Sequence, residues 1–152
     1  MNSKPYVIFL THTPQLFYYN VISKALREHF NIGSVAWVIG EMDYLEAKKL
    51  SFDFVLNLNT GILDKDMLEI TQNLEALESY HKELFINLNI AFDRHYKREK
   101  WSKDSILRHI ECSCSNALNF LAENETPLLI VGEANTAVYR TINQITPNIK
   151  KV

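Results

Sequence analysis

The fold is decided by residues 5–14, P-Y-V-I-F-L-T-H-T-P. Pro5–Thr11 is a continuous apolar run of strand length, the pattern of a central parallel strand buried on both faces. Thr11-His12-Thr13-Pro14 breaks that run. Thr13 is the expected N-cap and Pro14 the first helical residue of the next element. From Gln15 to Phe30 the polar residues Asn20, Ser23, Lys24, Arg27 and Glu28 recur at three- and four-residue steps, which leaves one apolar face for the core. The same unit then repeats. Ser34–Ile39 reads as a second buried strand ended by Gly40, Glu41–Leu50 as a short helix, and Phe52–Leu58 as a third strand closed by Asn59-Thr60-Gly61. Strands alternating with helices imply a parallel sheet with right-handed crossovers.

Further along, residues 64–84 form a helical pattern with Asp64 as its cap and Met67, Ile70, Leu74, Leu77, His81 and Leu84 on one stripe. Phe85–Phe92 alternates strictly, with Ile86, Leu88, Ile90 and Phe92 on one side. That suggests an edge strand, although an irregular bridge between helices fits the same eight residues. Residues 93–101, D-R-H-Y-K-R-E-K-W, are the local charge anomaly of the chain. A helix follows from Ser102 or Lys103 to about Ala122, striped by Ile106, Ile110, Cys114, Ala117, Leu118 and Leu121. Leu128–Val131 is a last buried strand, Gly132-Glu133 a sharp turn, and Asn135 the start of an amphipathic helix stopped by Thr146-Pro147. Residues 148–152 have the composition to begin one more strand. The expected architecture is α/β: a single Rossmann-like domain over 1–152, a three-layer αβα sandwich with a mainly parallel sheet of four or five strands.

The chain has 152 residues, 47% hydrophobic and 22% charged, an ordinary globular composition able to bury a full core. Its net charge of −2 exerts no general pull toward nucleic acid. Cys112 and Cys114, two positions apart on a helix, are not set for a disulfide or a shared metal, and free thiols suit a reducing compartment. The opening M-N-S-K and the short run after it make neither a signal peptide nor a membrane span, so a cytoplasmic location is expected. No G-x-G-x-x-G, G-x-x-x-x-G-K-[ST], H-E-x-x-H, G-x-S-x-G or paired C-x-x-C occurs. With four glycines there is no Gly-rich phosphate loop, which argues against a nicotinamide enzyme, a P-loop ATPase and an α/β-hydrolase, and leaves sugar chemistry open.

Three landmarks in order, T-H-T-P-Q after the first strand, D-R-H-Y before a long helix, and P-L-L-I-V-G-E followed by A-N-T-A-V-Y-R, resemble the N-terminal domain of bacterial capsule and surface-polysaccharide biosynthesis proteins, which are similar to two-domain GT-B glycosyltransferases. Asp93, Arg94 and Tyr96 match that family's Asp-Arg-aromatic motif. Pro127, Gly132 and Glu133 match its Pro-Asp-apolar-Gly/Ser-Glu strand, with Leu128 where the family has an acidic residue. The resemblance spans almost the whole chain. It implies an acceptor-side half. The nucleotide-sugar donor would be held mainly by a second domain, so this chain needs no cofactor of its own and by itself would not transfer sugar.

The resemblance makes His12 the candidate catalytic base on an acceptor hydroxyl, a role suited to a group that titrates near neutral pH. The alternative is a polar loop residue that bonds backbone. Thr11 and Thr13 would offer hydroxyls to the acceptor. Glu133, at a strand end beside the next helix, would bind sugar hydroxyls, orient Arg94 or simply cap that helix. Asp93 and Arg94 would position the acceptor or form a structural ion pair. The expected partner is a saccharide or lipid-linked saccharide, with at most peripheral membrane contact through residues 94–101 at the inner face of the cell membrane. The histidines are too dispersed for a metal site. A competing reading is a non-enzymatic interaction module that dimerises through the long helices at 64–84 and 103–122.

Overall fold

Every residue of β1 (Tyr6–Leu10) is buried, as its unbroken apolar run demands, because the strand has a neighbour on each side and helices over both faces. The computed structural model describes residues 4–132 and 136–152. In chain order the elements after β1 are α1 (Thr13–Phe30), β2 (Gly33–Val38), α2 (Glu41–Lys48), β3 (Phe54–Asn57), α3 (Met67–Tyr80), α4 (Ile86–Phe92), α5 (Arg94–Arg98), α6 (Lys103–Glu123), β4 (Leu129–Gly132) and α7 (Ala137–Ile145). The chain divides into two compact units. One comprises Met1–Leu58, Asn119–Gly132 and Asn148–Val152, the other Asn59–Leu118 and Glu133–Pro147.

The first unit holds the sheet, an α/β fold with four parallel strands in the order β3-β2-β1-β4. Tyr6 pairs with Gly33 and Leu10 with Trp37 on one side of β1, and Leu10 pairs with Gly132 on the other. The strands' side chains alternate between faces. Leu16 of α1 and Ala47 of α2 pack with Ala36, Val38 and Val55 on one face. On the other face Phe120, in the last turns of α6, meets the rings of Tyr6 and Trp37 edge-on, with centroids 6.3 and 5.7 Å apart. The result is the three-layer, Rossmann-like arrangement expected from the sequence. Residues 150–152 add a short parallel pairing beyond β4: Ile130 N–H donates to Lys150 O at 2.9 Å and Val152 N–H to Ile130 O at 3.0 Å.

α1 is turned differently from its periodicity. Asn20 and Ser23 face the sheet, while Phe17, Tyr18 and Val21 are exposed. The inward polar groups are hydrogen-bonded: Ser23 with Ser34 of β2, and Asn20 Oδ1 as acceptor for Ser51 N–H at 2.9 Å. Small side chains at Ser23 and Ser34 let the helix lie close to the strand, and a buried polar group with a partner costs little.

The second unit is helical. Asp66, not Asp64, caps α3, accepting from Glu69 N–H at 2.8 Å. The strand suggested for Phe85–Phe92 is instead α4. Ile86 and Asn89, three residues apart, point inward together, and Asn89 Nδ2 donates to Thr141 Oγ1 at 3.1 Å and Gln144 Oε1 at 2.7 Å on α7. Alternation over eight positions is the period of a strand, and the helix is accompanied instead by bonds from Asn89 to a partner element about 50 residues on, which no local pattern records. Residues 109–114 of α6 are all buried, so this helix is enclosed on nearly every side rather than along one stripe.

Candidate functional site

In an open parallel sheet, loops at the C-terminal ends of the strands converge where the chain reverses direction across the sheet. Here that position lies between β1 and β4, whose last paired residues are Leu10 and Gly132. Beyond Leu10, Thr11 is buried, and its N–H extends the ladder to Trp37 O at 2.9 Å. Its hydroxyl lies 3.4 Å from His12 O, a weak interaction. His12 is the N-cap residue of α1, one position before the cap expected from the sequence. Its carbonyl accepts from Gln15 N–H at 2.9 Å and Leu16 N–H at 3.1 Å, while its imidazole makes no capping bond and is exposed.

The capping carboxylate comes from elsewhere. Asp43, in the first turn of α2, accepts from Thr13 N–H at 2.9 Å and also from the Thr13 hydroxyl. A carboxylate at that end is favoured by the helix dipole and satisfies a donor that has no partner within the helix. Thr13, expected to offer its hydroxyl to an acceptor, is thus engaged in holding α1 to α2. Beside them Gly40, at φ 107°, is the N-cap of α2 and donates its N–H to Asn57 Oδ1 at 3.1 Å. The left-handed conformation explains glycine at this strand end. Thr11, His12, Thr13, Asp43, Gly40 and Asn57 all belong to this edge of the first unit, with the His12 side chain the one turned to solvent.

Asp93 and Arg94 belong to the second unit. Asp93 is buried and uses both oxygens on backbone amides: Oδ1 accepts from His95 N–H at 2.9 Å and Oδ2 from Ala137 N–H at 2.7 Å. It therefore caps α5 and holds the start of α7. The expected pair with Arg94 is replaced by these two bonds, and Arg94 lies exposed at the start of α5. Glu133 lies outside the described residues. Among those described, no group of three or more His, Cys, Asp or Glu side chains could hold a metal ion.

Two polar features of the second unit escaped the sequence reading. Tyr96 OH lies 2.5 Å from His109 Nδ1, and Trp101 packs against both rings. Burial, reinforced by the nearby Asp93, keeps the phenol protonated. Burial, aided by His95 and opposed by Asp93, pushes His109 down to about 4. Tyr96 therefore donates to a neutral imidazole. Glu111, also buried, accepts from Lys65 Nζ at 2.6 Å, Ser115 Oγ at 2.9 Å and Asn73 Nδ2 at 3.0 Å. Burial alone would raise its pKa, but these hydrogen bonds and the Lys65 charge bring it below the usual carboxylate value. Lys65 and Asn73 lie 46 and 38 residues from Glu111, and Tyr96 and His109 stand on different helices, so no single helical spacing announces either arrangement. Asp43 also escaped the sequence reading, because its partner Thr13 lies 30 residues away.

Among the described residues no helix is long and apolar enough to cross a membrane. No family model, curated protein or solved structure matches the chain.

Proposed function

We propose that this chain is the acceptor-side domain of a GT-B-like glycosyltransferase of surface-polysaccharide synthesis, with His12 as the base that activates an acceptor hydroxyl. The observation that supports this reading is the exposed His12 imidazole at the end of the central strand, where the sheet order changes direction. In such a reaction the acceptor oxygen attacks the anomeric carbon. The sugar–phosphate bond breaks with its electron pair leaving on the nucleoside diphosphate, and the acceptor proton passes to His12. A second domain would hold most of the nucleotide-sugar donor. Glu133, next in sequence after β4, would bind acceptor hydroxyls. Asp43, Asn57 and Thr13 act as the rigid frame of this edge, because Asp43 Oδ1 and Asn57 Oδ1 accept bonds from within the protein and the Thr13 hydroxyl donates one.

The test is acceptor binding. Titration of the chain with saccharide acceptors, followed by amide chemical shifts, should perturb residues 11–15, and His12→Ala and Glu133→Ala should weaken the interaction. Saccharide binding indifferent to both substitutions would remove this site assignment.

A second reading, a non-enzymatic module that forms a homodimer, draws support from the exposed Phe17, Tyr18 and Val21 on α1. Light scattering after size exclusion decides it. A dimer dispersed by Tyr18→Glu would favour the module, and a monomer at all concentrations would exclude it.

A further inference from the structure

Within the second unit, α4 turns an apolar stripe outward beside the most basic segment of the chain. Phe85, the N-cap residue, is 57% exposed, Leu88 52% and Phe92 59%. At spacings of three and four residues they line one flank of the exposed side of the helix, which Asn87 and Ala91 complete, while Ile86 and Asn89 turn inward. Immediately after Asp93 the chain exposes Arg94, Lys97, Arg98, Lys100 and Lys103 against two exposed acids, Glu99 and Asp104. The ion pair formed within this stretch, Arg98 with Glu99 at 3.4 Å, is itself on the surface. One more cation, the guanidinium of Arg140 on α7, lies 5.1 Å from the Phe92 ring. The whole chain carries a net charge of −2, so this concentration of positive charge is local.

We propose that α4 and α5 form a docking surface for an anionic lipid bilayer. Aromatic and leucine side chains presented outward by a short helix enter the boundary between headgroups and acyl chains, while flanking lysines and arginines meet lipid phosphates. A water-facing surface would not favour Phe85, Leu88 and Phe92 side by side, and a negatively charged interface with an apolar interior complements both halves of the patch. Three apolar side chains and about five cations give reversible attachment rather than insertion. The inference stands independently of the glycosyltransferase reading, since it uses no residue of the His12 edge.

Sedimentation of the full chain with vesicles tests it. Phosphatidylethanolamine vesicles containing phosphatidylglycerol should carry the protein down at low salt and release it at high salt, whereas phosphatidylcholine vesicles should not bind it. Each cation near an anionic surface contributes roughly fivefold to partitioning. Reversing Arg94, Lys97 and Arg98 to Glu should therefore lower binding at least about 100-fold. Phe85→Ser with Leu88→Ser and Phe92→Ser should also abolish sedimentation while leaving the circular dichroism spectrum unchanged, because all three side chains are exposed. Failure to sediment with anionic vesicles would overturn the proposal. So would sedimentation unchanged in the serine variant, or a soluble dimer that this variant disperses without any vesicle association.

Discussion

Asp93 Oδ2 accepts a hydrogen bond from the backbone N–H of Ala137 at 2.7 Å, joining residues 44 apart in the sequence. The other oxygen of the same carboxylate caps α5 through His95 N–H, so one buried side chain starts two helices. A charged acceptor for two amides is worth more than a neutral one, and its removal leaves a buried N–H without a partner. Asp93→Ala should cost about 2–4 kcal/mol in urea unfolding. Asp93→Asn, which keeps an acceptor, should cost roughly half as much. Equal stability of Asp93→Ala and the parent would show that α7 is held by other contacts.

The Tyr96–His109 pair makes stability depend on pH. In the unfolded chain His109 titrates near 6.5, in the fold at about 4. Between those values the unfolded state binds more protons, so stability is complete above about pH 6.5 and falls as pH decreases toward 4. A difference of this size corresponds to about 3 kcal/mol at full effect. Urea midpoints measured from pH 7.5 to 4 should decline across this window, and His109→Gln should flatten the decline. A parent profile that is level between pH 6.5 and 4.5 would rule out a buried neutral imidazole.

Glu111 acts in a lower window. Its folded pKa is depressed, so the stability it contributes is present above the ordinary glutamate value and is lost as pH drops through the folded value. At neutral pH Glu111→Ala should cost about 3 kcal/mol, since it strands Lys65, Asn73 and Ser115 without their common acceptor. Glu111→Met, which also removes the charge but fills the volume, should recover part of that loss. Thermal melts of both variants at pH 7 check the ranking. An Ala variant as stable as the Met variant would mean that volume plays no part there.

Cys112 and Cys114 are both buried and reduced. Burial, with Glu111 nearby, pushes the Cys112 thiol up to about 11 and holds Cys114 higher still. Because the thiolate is the reactive form, Ellman's reagent should modify the native protein roughly 100-fold more slowly than a free cysteine at the same pH. Two thiols should react promptly in denaturant. Fast labelling of either residue in the native state would contradict the enclosure of α6.

Much of the sheet was legible locally. Apolar runs marked β1 and β2, which are buried throughout, and the helices between the strands required parallel pairing. The run at 128–131 also marked a strand, but Leu128 is exposed and Ile130 is the one buried residue of β4. His12 could be placed at the end of the central strand from the same pattern. The roles of Thr13 and Asp93 could not, because their partners, Asp43 and Ala137, lie 30 and 44 residues away.

The sequence by itself determined the alternation of strands and helices around the sheet, its parallel pairing and the edge on which His12 stands, because these follow from hydrophobic periods and turn residues within short windows. Tertiary structure alone decided that Asn20 and Ser23 of α1 face inward, that residues 86–92 wind into a helix, and that α6 is buried through Glu111. A polar group enters the interior only when a partner meets it there. For Ser23, Asn89 and Glu111 those partners come from other elements, and the fold has to bring them into place.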